Sequence, residues 1–229
     1  MKKIVQILML LTLMTGGVSN ALASVKTVTI KQEDEKLVLD INYPQGYASN
    51  TINKPVQDFI SKQKEAILEI NKQDNLSADI PGKNGLYINY QTKFSNACIL
   101  SLLFNVSSNM RGAAHPSQSI KTFNFFNGQE ISLDSLFKPE SDALNQIAKF
   151  CHDHFVKQGK ADENWINEGT KPTAENYKSW YFTRSGVMIV FDTYQVAAYV
   201  YGPQKVLIPY SMLKPWIKPE IAKAVWGNA

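Results

Sequence analysis

The sequence predicts an α+β fold in a single domain, with an antiparallel β-sheet packed by two main α-helices. Strand-like segments occupy most of the chain, and two stretches instead repeat apolar residues at three- and four-residue spacing. Turn residues separate these segments, and no internal repeat or linker divides them. With 229 residues, of which 44% are hydrophobic, the chain is long enough for one well-buried core.

The N-terminus predicts a cleaved secretory signal over residues 1–23. Lys2 and Lys3 form a short positive head, an apolar run covers residues 4–14, and the segment ends in Ala-Leu-Ala, a pattern that signal peptidase cuts. The apolar run is too short to span a bilayer comfortably. We therefore expect one mature domain over residues 24–229, periplasmic or secreted, with no membrane span after cleavage.

The first half of the chain predicts a hairpin, a helix and three strands. Residues 26–43 alternate as a β-hairpin, and the apolar residues between 52 and 70 share one helix face, with Ser49 or Asn50 as the N-cap. Three strands follow, at 86–94, 97–108 and 118–126. The middle one is apolar enough to be central in the sheet.

The second half begins with a tight turn at Asn127-Gly128. A second amphipathic helix is expected over 140–158, followed by a long polar loop over 159–179. The segment from Trp180 to Phe191 predicts a hairpin, and one more strand and a short C-terminal helix complete the fold.

The charge pattern does not favour nucleic acid as a partner. The formal net charge is +4, of which two charges belong to the predicted signal, and no run of five basic residues occurs. Nucleic-acid binding needs a concentrated basic face. We therefore expect no nucleic-acid partner.

The two cysteines, Cys98 and Cys151, predict a disulfide, because an oxidising compartment favours one. The alternative is two separately buried thiols. The segment Cys-His-Asp-His at 151–154 has the residue types of a metal site. On a helix, however, Cys151 and His154 point one way and His152 another, so we expect no metal and no cofactor.

His115 is the candidate for catalysis. It follows Arg111 in a loop between strands, and Pro116 holds it extended. The chain lacks the G-x-S-x-G and H-E-x-x-H motifs. A hydrolase would need a carboxylate such as Asp134 or Asp192 beside the imidazole. The simpler interpretation is that His115 shapes the turn and contacts a partner.

Tyrosines cluster in the segment 194–210, around Gly202-Pro203. Tyr194, Tyr199 and Tyr201 have the large, stiff, amphipathic rings that are enriched in recognition surfaces. They also suit the border of an ordinary β core. We take these three, with Arg111 and His115, as the candidate partner-contact residues.

Both stretches resemble one secreted domain family. The first reads "RGAAHPSQSIKTFNFFNGQEISLDSLF" and the second "GVMIVFDTYQVAAYVYGPQKVLIPY". In this order they resemble the domain shared by RsiV-type anti-sigma factors, where it is extracellular, and PdaC-type peptidoglycan deacetylases, where catalysis belongs to another domain. The resemblance covers roughly Lys26 to Pro215.

The resemblance implies a non-enzymatic binding module, because in RsiV-like proteins this domain binds lysozyme. We therefore expect a periplasmic module that binds a lysozyme-like protein or another cell-envelope component. The acids Asp162, Glu163 and Glu168 would complement a cationic partner. Two alternatives stay open: a cell-wall hydrolase that uses His115 with a carboxylate from another segment, and a purely structural envelope protein. The sequence predicts no oligomeric state.

Overall fold

The structure, a computed structural model, describes residues 24–77 and 79–227, so the predicted signal lies outside the described residues. The elements are β1 (Lys26–Glu33), β2 (Leu37–Gln45), α1 (Asn50–Gln73), β3 (Asn84–Ser95), β4 (Ile99–Asn109), β5 (Ser117–Phe126), β6 (Gln129–Glu130), α2 (Ala143–Gln158), α3 (Glu163–Gly169), β7 (Trp180–Thr183), β8 (Gly186–Phe191), β9 (Gln204–Pro209), α4 (Tyr210–Leu213) and α5 (Pro219–Trp226). This composition confirms the predicted α+β class. Within the described ranges, no helix is long and apolar enough to cross a membrane.

The strands form two sheets, where the sequence predicted one. Six strands pair in the order β1-β2-β3-β4-β5-β6, and three pair in the order β7-β8-β9. The first sheet is also not wholly antiparallel, because β2 and β3 are parallel, with Leu37 opposite Asn84. The physical reason is the helix α1 between them, which carries the chain back so that both strands run in the same direction.

Helix α1 covers one face of the large sheet. Ser49 caps it by accepting a hydrogen bond from Thr51 N, and Val56, Ile60 and Ile67 are its buried residues. Because side chains alternate along a strand, every second residue of β2 to β5 meets this helix. The sheet residues of that core are Leu37, Leu39, Ile41, Leu86, Ile88, Leu100, Leu102, Phe104, Val106, Phe123 and Phe125.

The small sheet lies against the opposite face of the large sheet, and buried polar side chains join them. Ser101 donates to Asn124 Oδ1 at 2.6 Å, and Asn124 Nδ2 donates to Trp180 O at 2.7 Å. Trp180 N donates to Thr122 Oγ1 at 3.1 Å, and Phe182 N donates to Ser101 Oγ at 3.2 Å. Strand β7 is an edge strand, so these side chains satisfy backbone groups that no neighbouring strand pairs.

The outer face of the small sheet forms the second core with α2, α4 and α5. From α2 this core takes Ile147, Cys151 and Phe155. The predicted loop over 159–179 was partly wrong, because it contains α3. Asp162 caps this helix through a bond from Trp165 N to Asp162 Oδ1 at 3.0 Å.

The predicted disulfide is not present, and both cysteines are free. The prediction put Cys98 on the central strand, but β4 begins one residue later, and the buried inward position belongs to Ile99. Cys151 is fully buried on α2, where its thiol hydrogen-bonds Tyr177. Burial raises the pKa of the Cys151 thiol to about 12, so it stays protonated at neutral pH.

Candidate binding site: an exposed aromatic ledge

Four rings from distant parts of the chain form a continuous surface, which we call the aromatic ledge: Trp165, Tyr194, Tyr199 and His115. The Trp165 and Tyr194 rings are nearly parallel, with centroids 6.3 Å apart and an angle of 10°. Tyr194 lies 5.6 Å from Tyr199, and Tyr199 stacks on His115 at 4.1 Å. Since Tyr194 is 49% exposed and His115 is also exposed, the ledge faces solvent.

Three segments hold the ledge in place. Trp165 comes from α3, and its indole Nε1 donates to the backbone oxygen of Tyr194. Tyr194 has a φ of 69°, in the left-handed region that non-glycine residues seldom adopt. Tyr199 follows in the same loop, and its hydroxyl donates to Pro116 O at 3.0 Å. The ledge is therefore fixed by backbone contacts as well as by ring packing.

The environment of His115 is that of a packed surface residue. Its Nδ1 lies 3.0 Å from Pro116 O, and its Nε2 lies 3.5 Å from the Tyr194 hydroxyl. Among the residues that the structure describes, no carboxylate forms a hydrogen bond with this ring. Asp192, one of the acids considered above, instead accepts from Ile120 N at 2.6 Å. The hydrolase hypothesis would require such an acid beside the imidazole.

Arg111 does not reach the ledge. Its guanidinium forms two bonds with the Asp74 carboxylate, at 2.9 and 2.8 Å, and donates to Leu76 O at 2.7 Å. The side chains of this pair are only 7% and 4% exposed. Arg111 holds the pKa of Asp74 well below its usual range, chiefly through these hydrogen bonds. We therefore assign a structural role to Arg111, which holds in place the segment that follows α1.

Tyr201 lies on the same loop, at the margin of the ledge. Its side chain is 44% exposed, and the Lys160 ammonium sits 5.8 Å from its ring centroid. The neighbouring Val200 is 82% exposed. Two of the predicted tyrosines, Tyr194 and Tyr199, thus meet His115 directly, whereas the ring contact of Tyr201 is with Lys160.

Trp165 is the ledge residue that the sequence analysis missed. The segment around it is polar and was interpreted as a loop. The available signal was local: Asp162 stands three residues before Trp165, which is the spacing of a helix N-cap. On that helix the half-buried Trp165 packs its ring beside that of Tyr194.

The histidines of α2 make local contacts. His152 Nε2 lies 2.8 Å from Asn167 Oδ1, and His154 Nε2 lies 2.7 Å from Gln158 Nε2. Within residues 24–77 and 79–227, no three His, Cys, Asp or Glu side chains come together in a group that suits a metal ion.

Two family models match this chain, one in its first half and one in its second half. Residues 30–118 match the family model described as Deacetylase PdaC, and residues 134–211 match the one described as Protein of unknown function (DUF3298). His115 lies in the first region, whereas Trp165, Tyr194 and Tyr199 lie in the second. The ledge therefore combines residues from both.

Two individual proteins are similar to this chain over most of its length. The peptidoglycan-N-acetylmuramic acid deacetylase PdaC of Bacillus subtilis is 27% identical over 202 residues, which cover 86% of this chain and 42% of that protein. This chain thus spans less than half the length of that deacetylase. The immunogenic protein MPT64 of Mycobacterium tuberculosis is 22% identical over 187 residues, 80% of this chain and 79% of that protein.

Two solved structures share the fold. A DUF3298 family member from Bacteroides fragilis superposes with a TM-score of 0.61 at 13% identity, over 88% of this chain and 96% of that one. A DUF3298 family protein from Pseudomonas aeruginosa gives a TM-score of 0.62 at 15% identity, over 87% and 96% of the two chains. At these identities the likeness concerns the fold alone.

Proposed function

We propose that this protein is a non-catalytic binding domain of the cell envelope, exported across the membrane, whose contact surface is the aromatic ledge. The observation that carries the proposal is the continuous row of rings from Trp165 to His115, in which Tyr194 and His115 are exposed and Trp165 and Tyr199 are half-buried. Tyrosine and tryptophan dominate the binding energy of protein interfaces, because they offer large rigid contact areas at a low cost in entropy.

The partner that we propose is a lysozyme-like protein. The support is the resemblance to the secreted domain of lysozyme-sensing proteins, together with the acids that flank the ledge on α3. All three acids are exposed; Asp162 also caps α3, and Glu168 pairs with Lys171. The electrostatic attraction for a cationic partner is therefore local, and the rings carry most of the binding free energy.

The experiment is a calorimetric titration of the purified protein with lysozymes from several sources, paired with muramidase assays. We expect saturable binding to at least one lysozyme and inhibition of its activity in the same concentration range. Absence of heat with every lysozyme, together with unchanged muramidase activity, would remove this partner.

A separate assay addresses the hydrolase alternative. The protein is incubated with peptidoglycan, and soluble sugars and peptides are measured. We expect no product above the blank. Product formation that disappears in His115→Ala, at unchanged melting temperature, would establish a catalytic role for His115 and contradict the proposal.

A further inference from the structure

A second surface feature lies apart from the ledge, in a groove of about 710 Å³ between the end of β3, the β7–β8 turn and the C-terminal helix. We call it the basic groove. Its polar lining includes Lys93, Ser95 and Arg184, and its aromatic lining includes Tyr210 and Trp226. A cavity of this size lies in the range that holds small organic ligands.

Lys93 lines the groove and lies at an irregularity in its strand. The pairing of β3 with β4 shifts register between Thr92 and Phe94, so Lys93 is the extra residue of a β-bulge. Bulges re-aim side chains and are common beside binding sites. Here the ammonium lies 5.4 Å from the ring centroid of Tyr181, on the other sheet, and its hydrogen-bond partner is the neutral amide of Gln91.

The charges in the groove are not balanced. Lys93 and Arg184 line it, and no carboxylate is among its lining residues. Neither cation forms an ion pair within the described part of the chain, although nine such pairs occur there. Burial and the nearby Lys205 lower the pKa of Lys93. The groove is thus a region of positive potential without an internal counter-charge.

Two stacked rings form the aromatic part of the lining. Tyr210 and Trp226 lie with centroids 4.4 Å apart at an angle of 27°. The Trp226 indole is fixed, because its Nε1 donates to Thr183 O at 3.0 Å. Such a wall suits the apolar face of a ring, and the hydroxyls of Ser95 and Tyr210 suit a ligand that carries hydroxyl groups.

We propose that the basic groove binds an acidic sugar, with the carboxylate between Lys93 and Arg184 and the sugar ring against Tyr210 and Trp226. A carboxylate is the counter-charge that the two cations lack, and Arg binds it in a planar, two-bond geometry. The remaining hydroxyls of the ligand meet the polar lining.

This site is independent of the aromatic ledge. Arg184 precedes β8 at Gly186, whereas Tyr194 follows β8 after Phe191. A strand of this length separates its two ends by roughly 20 Å. The ledge and the basic groove therefore lie at opposite ends of the small sheet, and a ligand in the groove leaves the ledge accessible.

The test is a titration of the purified protein with a trisaccharide of galacturonic acid, followed by calorimetry and tryptophan fluorescence. Maltotriose, which has three rings and no carboxylate, is the neutral comparison. We expect the acidic trisaccharide to bind at least about tenfold more tightly than maltotriose, since hydrogen bonds to charged groups contribute at this level. Binding should also weaken as salt is added.

Substitutions of the two cations that line the groove test whether the ligand binds there. Lys93→Gln and Arg184→Gln should each weaken binding about tenfold, because each removes one charge-assisted bond. Lys62→Gln removes one exposed charge from α1 and should leave affinity unchanged. Arg184 is exposed, so its variant reports on the site even if Lys93→Gln disturbs the bulge.

Three results would overturn the proposal. They are the absence of binding to the acidic trisaccharide, equal binding of maltotriose, and equal affinity of the Arg184→Gln and parent proteins. None of these results bears on the ledge, whose test uses a protein ligand and different variants.

Discussion

Tyr194 combines an unusual backbone with an exposed ring. Its φ of 69° places it in the left-handed region, where a side chain crowds the following carbonyl oxygen. Its ring nonetheless lies between Trp165 and Tyr199 in the ledge. A residue that keeps an unfavourable backbone angle while half of its side chain is exposed contributes little to folding, which fits a role in binding.

This strain predicts an order of stabilities at position 194. Tyr194→Gly should be about 1 kcal/mol more stable than Tyr194→Ala, because glycine adopts the left-handed region without penalty. Urea denaturation of both variants measures the difference. At Tyr201, whose φ is not positive, the same pair is the control, and there alanine should be the more stable. The same order at both positions would contradict the assignment of strain.

The two thiols should differ in reactivity. Cys151 is fully buried with a pKa of about 12, whereas Cys98 is half-buried next to the turn before β4. Because the thiolate is the reactive form, Cys151 should resist a thiol reagent in the folded protein while Cys98 reacts. Titration with a chromogenic disulfide before and after unfolding, without reductant, measures this. The number of reactive thiols should rise from one in the folded protein to two in the unfolded protein. Detection of no thiol after unfolding would instead show that Cys98 and Cys151 form a disulfide.

At the scale of elements, the contact between the two sheets depends on polar side chains inside the core. The edge strand β7 presents its backbone to the face of the large sheet, where Ser101, Thr122 and Asn124 bond to it. Polar residues in this position hold β7 in one register, since a shift of one residue would leave these buried groups unpaired.

The role of these polar contacts in holding β7 can be tested at Asn124. Replacing it by leucine leaves Trp180 O and the Ser101 hydroxyl without their partner, so Asn124→Leu should cost about 2–4 kcal/mol in the free energy of unfolding. Asn105→Leu is the matched control, because Asn105 is exposed on the same face of β4 and β5. Chemical denaturation compares the two. Equal, small losses would show that the polar contacts do not hold β7.

The helices and strands also show which parts of the fold can be predicted from the sequence. The apolar character of β4 and the apolar spacing in α1 and α2 indicate burial directly, so these elements were predicted near their observed bounds. The division into two sheets was missed, because the polar residues Ser101, Thr122 and Asn124 give no sign in the sequence that a second sheet covers them. Their partners are backbone groups of β7, roughly 60 to 80 residues away in sequence, and no local pattern encodes such a contact.

For the whole molecule, the ledge arises only when the two matched halves fold together. His115 lies between β4 and β5, whereas Trp165, Tyr194 and Tyr199 belong to the second half. Three of these four residues, His115, Tyr194 and Tyr199, could be predicted as contact residues from their types and the motifs around them. The sequence does not show that these residues lie side by side. Arg111 was also among the predicted contact residues, but its guanidinium forms an ion pair with Asp74. Residue types therefore indicate which side chains could contact a partner, and the packing of the two sheets determines which of them lie together.

The central claim is that the ledge supplies the binding energy, and the most direct measurement is the affinity of Tyr194→Ala for the lysozyme that binds the parent most tightly. We expect a loss of about 2 kcal/mol or more, as for an interface hot spot. Tyr87→Ala removes a ring that is 40% exposed on the large sheet, and it should bind like the parent. Parent-like affinity of Tyr194→Ala, or an equal loss in both variants, would contradict the claim.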